Sequence, residues 1–178
     1  MPTIKVNMFS QQSILNAVNA LKSYSNSLTY KCQLLAEKLA EKGVEIARVQ
    51  LADLDAIFKG ELIESIHSEY ETSVRGGGIW AVVAGTDHAM FVEFGTGTVG
   101  QSSPYKGKLP DGVTWQYASG KTIRQLTDGR YGWFYPGDNG NWYFTEGMPS
   151  RPFMYNTANE LREIIVSTAR EVFGNDQR

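Results

Sequence analysis

The chain has 178 residues, which suits one domain on the usual scale of roughly 100 to 200 residues each. With 42% hydrophobic residues it can offset the entropy of ordering its backbone, and 17 Lys plus Arg against 19 Asp plus Glu leave a net charge of -2. That balance excludes recruitment to nucleic acid or to an anionic membrane by bulk charge. The one cysteine, Cys32, excludes an internal disulfide and suits a cytoplasmic origin. No stretch approaches the ~18 consecutive apolar residues that span a bilayer, and the opening lacks an apolar leader segment, so a soluble, unprocessed chain is expected.

Ile4, Val6 and Met8 alternate with Thr3, Lys5 and Asn7, the pattern of a short strand. Ile14, Ala17, Val18 and Leu21 then recur at helical spacing after Ser10 or Ser13, either of which is placed to cap a short helix that runs out near residues 24–27. A longer helix is expected from Leu28, with Cys32, Leu35, Leu39 and Ile46 on one stripe and Ala36, Ala40 and Ala47 widening it. Cys32 is thereby expected in the core. Gly43 sits within that helix at a cost of about 1 kcal/mol relative to Ala, which counts against an unbroken helix there.

After Asp55 the period changes. Ile66, Tyr70, Thr72 and Val74 predict a strand that ends in Arg75-Gly76-Gly77-Gly78, and the wholly apolar residues 79–84 predict its hairpin partner, the central strand covered on both faces. One helical turn is expected at residues 88–94, and the chain should loosen at Gly95-Thr96-Gly97. Residues 98–150 hold 9 of the 18 glycines and 10 of the 21 aromatics, which marks residues 98–146 as a loop and hairpin insertion. Aromatic runs over residues 131–144 flank Pro136-Gly137-Asp138-Asn139-Gly140, a hairpin signal, whereas residues 98–130 give only loop signals. Ser150 is placed to cap the last helix, Pro152 suits its first turn, Met154, Ala158, Leu161, Ile165, Ala169 and Val172 form its stripe, and Gly174 ends it. The expectation is one α+β domain over residues 1–178: a small, mostly antiparallel sheet packed by a long N-terminal helix and a C-terminal amphipathic helix, with an aromatic, Gly-rich hairpin insertion.

Signals for catalysis are weak. Gly95-Thr96-Gly97-Thr98-Val99-Gly100 has the glycine spacing of a dinucleotide fingerprint, but Gln101-Ser102-Ser103-Pro104 follows where a helix should begin and no βαβ pattern surrounds it. Two histidines, His67 and His88, with one cysteine give no metal-ligand set, and His88 with Glu93 would need further ligands. Asp53 and Asp55 lack the glycine and closing Glu of a calcium loop, and Gly-x-Ser-x-Gly is absent. Glu61, Glu64, Glu69 and Glu71 belong on a solvated face. No cofactor and no metal are expected. Trp115, Trp133 and Trp142 are candidates for stacking on a sugar, a base or a partner protein, or for ordinary cross-strand packing.

Four segments in order carry a resemblance: Gly60-Glu61-Leu62-Ile63-Glu64-Ser65-Ile66, a G-x-L-x-x-S-I pattern; Phe91-Val92-Glu93-Phe94-Gly95-Thr96-Gly97; Gly147-Met148-Pro149-Ser150-Arg151-Pro152-Phe153-Met154; and the closing helix. Together they resemble the HK-type gene-product-ten family of bacteriophage neck and tail-completion proteins, over roughly residues 28–97 and 147–173. Members often carry Pro-x-Asp-Thr-Gly before the motif serine, whereas residues 54–60 here keep only Gly60. The resemblance implies a structural, non-catalytic subunit that is assembled in the bacterial cytoplasm and resides in the virion at the head-tail junction. Its implied partners are further copies of itself, commonly in a hexameric ring, with the head connector and the tail tube or terminator. Neither a membrane nor DNA other than passing cargo is implied. Residues 94–100 and the hairpin with Trp133 and Trp142 are expected to make the assembly contacts, and Phe153 with Met154 to seat the last helix. A cell-wall glycan-binding module using the aromatic hairpin is the alternative, and a small enzyme a weaker third.

Overall fold

The computed structural model describes residues 4–56, 60–74, 76–109, 111–117, 124–137 and 139–174. Thr3, Arg75 and Asp138 of the expected strand and turns lie outside that set. The element order is α1 (Gln11–Asp53), α2 (Glu61–Ser65), β1 (Ile66–Val74), β2 (Gly77–Ala84), α3 (Ala89–Phe94), α4 (Gly97–Ser102), β3 (Arg124–Gln125), β4 (Tyr131–Pro136), β5 (Trp142–Thr145), β6 (Gly147–Met148) and α5 (Phe153–Phe173). Two antiparallel sheets, β1-β2 and β3-β4-β5, accompany the helices, so the fold is α+β. Among the described residues no helix is long and apolar enough to cross a membrane.

The N-terminal third differs from its sequence reading. Residues 4–7 form no strand, and the two expected helices are one 43-residue helix. Ser23, Ser25, Asn26 and Ser27 are weak helix formers, but no proline or glycine interrupts them, so the hydrogen-bond ladder continues. Ser10 caps it, its hydroxyl accepting from the Ser13 N–H. Cys32 is half-buried rather than in the core.

Gly43 does not break α1 but lets it approach its neighbours. A Cβ at this position would lie 2.8 Å from Val82 Cγ2 of β2 and 3.1 Å from Leu161 Cδ1 of α5, so α1, β2 and α5 meet where a side chain is missing. The core follows from that approach: Ala47 and Leu51 of α1 pack with Leu62, Ile66, Ala89, Val92 and Phe153. Arg48 Nη2 donates to Ile66 O at 2.9 Å, and Lys42 Nζ reaches Thr168 Oγ1 at 3.2 Å and Glu171 at 3.1 Å, tying α1 to the hairpin and to α5.

The β1-β2 hairpin forms as expected, with a bulge at Glu71 between the Tyr70–Trp80 and Thr72–Ile79 pairs. Tyr70 and Trp80 meet edge to face at 5.5 Å. Among the described residues β2 pairs with β1 alone, so it is an edge and not a central strand; α1 lies against the hairpin and its residues are mostly half-buried. In α5 the buried line is Phe153, Thr157, Thr168 and Val172, while Ala158 and Ile165 of the expected stripe are exposed. The helix is rotated because Thr157 satisfies its own hydroxyl, donating to Phe153 O at 2.7 Å, and so can be buried.

Gly43→Ala is expected to destabilise the chain by about 1 to 2 kcal/mol, because the clash with the stiff Val82 side chain exceeds the roughly 1 kcal/mol of helix propensity gained. A lower urea midpoint at unchanged slope would show it; a higher midpoint would mean that α1 and β2 separate at no cost.

Candidate functional site

The motif segments of the sequence meet in one place. The Arg151 N–H donates to Val92 O at 2.8 Å, the Ser150 hydroxyl to Glu93 O at 2.6 Å, and Arg151 Nε to Leu54 O at 3.1 Å. Thr96 pairs with Met148 and Gly97 with Gly147 as antiparallel bridges, and Thr96 Oγ1 accepts from the Met148 N–H. Gly60 begins α2, Leu62 and Ile66 enter the core, and the Ser65 hydroxyl donates to Leu62 O at 2.7 Å, closing the short helix. Between these segments opens a cavity of about 530 Å³, walled by Leu51, Leu62, Phe91, Val92 and Met148 with Arg151 beside them.

Glu93 organises the junction. It is 6% exposed, and its carboxylate accepts the Met154 N–H at 2.9 Å on Oε2 and the Tyr155 N–H at 3.0 Å on Oε1. The first-turn amides of a helix lack intrahelical acceptors, so a carboxylate from α3 caps α5. Ser150, expected in that role, faces Glu93 O instead, and Pro152 is the N-cap residue without a side-chain bond. Burial pushes the Glu93 carboxyl above the usual carboxylate range, outweighing the two amide hydrogen bonds that pull it down. The same charge, after burial, raises the nearby Tyr105 phenol.

Residues 94–100 are not an exposed loop. Gly95, Thr96, Gly97 and Gly100 are buried, and α4 begins where the chain was expected to loosen. Gly95 (φ 79°) and Gly97 (φ 64°) take left-handed backbone, and a Cβ at Gly97 would strike Glu146 O. The Phe-Gly-Thr-Gly run is therefore required by its turn, not by a ligand. Trp115 is also inside this arrangement: its indole N–H donates to Gly95 O at 2.8 Å, and its ring lies 5.0 Å from Phe94 and 5.9 Å from Phe91. Tyr105 bridges Phe94 and Tyr155 at 4.8 and 5.7 Å, a link the sequence reading missed; its only signal was an aromatic residue in a polar loop.

The β4-β5 hairpin turns the other way. Trp133 is half-buried opposite Thr145, whereas Trp142 is 67% exposed and stands with exposed Tyr131, Phe134, Tyr135 and Tyr143. Phe134–Phe144 and Tyr135–Tyr143 pair across the strands at 5.3 and 5.9 Å. By strand alternation Phe134 and Trp142 lie on one face of the hairpin and Tyr131, Tyr135 and Tyr143 on the other, so both faces carry exposed aromatic side chains. Of the remaining candidates, Glu61, Glu64, Glu69 and Glu71 are exposed, as is His67, whose imidazole pKa is raised by hydrogen bonding to Ser65 O and to Glu69. Among the described residues no three His, Cys, Asp or Glu side chains gather as a metal site. No protein-family model, curated protein or solved structure matches the chain.

Because the folded-state value of Glu93 is the higher one, the fold holds that proton more tightly than the unfolded chain does. Its contribution is whole below the ordinary carboxylate range and is lost as pH rises through the folded value. Stability followed by urea midpoint should therefore fall over that interval, and Glu93→Gln should flatten the fall. Glu93→Ala, which strands two buried amides, should flatten the fall as well and cost about 2 kcal/mol.

Proposed function

We propose that this chain is a structural subunit of a long-tailed bacteriophage, a neck or tail-completion protein of the head-tail junction that acts by self-assembly and protein-protein contacts without catalysing a reaction. The observation that carries the reading is the meeting of three of the motif segments, residues 60–66, 91–97 and 147–154, around one junction that seats the fourth, α5. Motifs so far apart in the chain that close on one another are the working parts of one scaffold, as the family resemblance requires. Under this reading the partners are further copies of the chain in a ring, the head connector, and the tail tube or terminator. DNA passes as cargo, and the finished location is the virion after assembly in the host cytoplasm.

The buried turn at residues 95–97 leaves the aromatic hairpin to supply docking contacts. Exposed aromatic anchors that order a partner on contact are the usual centres of such interfaces. A second reading rests on the same hairpin: exposed Trp142 on one face, or Tyr135 and Tyr143 on the other, also suit stacking on a cell-wall sugar.

Deleting the gene from the phage or prophage that carries it should yield DNA-filled heads beside separate tails in negative-stain electron micrographs. Tails of abnormal length would move the role to tail termination, and normal infectious virions would overturn the morphogenesis reading. Trp142→Ala should reduce infectious particle yield while changing stability by less than about 0.5 kcal/mol, as for other exposed positions. Saturable binding of purified chain to wall polysaccharide, abolished by the same substitution with particle yield intact, would select the glycan reading.

A further inference from the structure

The strongest unused feature is the N-terminal part of α1. From about Thr29 onward the helix lies against the hairpin and α5, but of residues 11–28 only Ser13 and Ala17 lose much of their surface. At 1.5 Å per residue this is an arm about 27 Å long. It carries Ile14, Leu15, Val18, Leu21, Tyr24 and Leu28 exposed, Leu21 to 57%.

Three properties of the arm point to what covers it. First, Ile14, Val18, Leu21, Ser25, Leu28, Cys32, Leu35 and Leu39 fall at alternating spacings of four and three, a 3.5-residue repeat that runs on into the part of α1 held by the rest of the fold. Second, eight of residues 11–30 are Ser, Thr or Asn, too weak a composition to hold an isolated helix of this length in water. The N-terminus is nevertheless closed by reciprocal serine contacts, Ser10 accepting from Ser13 and the Ser13 hydroxyl accepting from the Asn7 N–H. Third, Lys22 is the one charged side chain among residues 6–30. A surface that met lipid headgroups or nucleic acid would need a basic face, and a solvated helix would be rich in charge.

We infer that the arm is an assembly element that pairs with the same arm of a second copy of this chain, parallel and in register, along the Ile14–Leu28 seam. Ile14, Leu21 and Leu28 then occupy one core position of the repeat and Val18 and Ser25 the other, and leucine alternating with β-branched valine favours two parallel strands. In this pairing Lys22 of one copy lies beside Ala17 of the other and meets no like charge. An antiparallel pairing centred on the arm sets Lys22 against Lys22. Ser25, small and polar within the seam, aligns with its own copy and fixes the register. The inference goes beyond the virion reading and does not depend on it, since it concerns the isolated chain.

The test uses the full chain with Cys32→Ser as background. Mild oxidation of the Ser25→Cys variant should give a covalent dimer on a non-reducing gel, while Asn19→Cys, on the outer side of the helix, should stay monomeric on the gel. Leu21→Glu should abolish self-association in sedimentation velocity and lower the far-ultraviolet helix signal, with the near-ultraviolet aromatic signal of the rest of the fold intact. A monomeric wild-type chain, or one that associates equally well as Leu21→Glu, would overturn the inference. So would association with no cross-link at position 25, which would place the arm on another surface of the neighbouring copy. None of these outcomes bears on the gene-deletion phenotype, so the two readings fail separately.

Discussion

A buried carboxylate at the start of the last helix holds the two halves of this chain together. Glu93 sits on a six-residue helix and caps α5, some sixty residues later, through the amides of Met154 and Tyr155. Burying a charge is costly unless it is matched by donors, and two amides at the positive end of a helix are such donors. Around this cap the chain closes at several points at once: Arg151 on Val92, Ser150 on the Glu93 carbonyl, Met148 on Thr96. The intervening residues 98–146 enter and leave at nearly the same place, which is how a long aromatic insertion can be carried without disturbing the core. Trp115 and Tyr105 fold back from that insertion onto Phe94 and reinforce the same junction.

The second constraint is the length of α1. Its C-terminal half is the support on which the hairpin and α5 lie, and Gly43 permits the closest approach of all three. Among the described residues the N-terminal half has no such support in one copy of the chain. A helix that is structural along one half and apolar but uncovered along the other is suited to joining subunits, because association leaves the fold of each subunit unchanged. The aromatic hairpin is the other uncovered surface, so two different contacts are available to one small chain.

Much of the secondary structure was legible because it depends on short-range pattern. The β1-β2 hairpin, the β4-β5 hairpin and α5 follow from alternation, glycine turns and helical spacing, each a matter of a few neighbouring residues. The errors arose where neighbours do not decide. Serines and asparagines at residues 23–27 suggested a break, yet nothing in them forbids a helix. Gly43 counted only as a cost to the helix, and its meaning lay in Val82 and Leu161, which are remote in sequence. The apolar stripe of α5 was misplaced by one position because Thr157, which bonds its own helix, and Thr168, which Lys42 reaches, are buried in it.

The motif residues were legible in the sequence, but their structural roles were not. Glu93 was a motif residue and is a helix cap; Gly95 and Gly97 looked like a flexible loop and are a buried turn; Trp115 was a candidate for stacking or packing and is bonded to the backbone. Sequence alone determined the fold class, the hairpins and the low charge of the arm, since these depend on composition and local period. Only the tertiary structure decided which polar groups were buried against which donors, and therefore which side chains face outward. That depends on contacts between segments separated by twenty residues or more, and no local pattern encodes them.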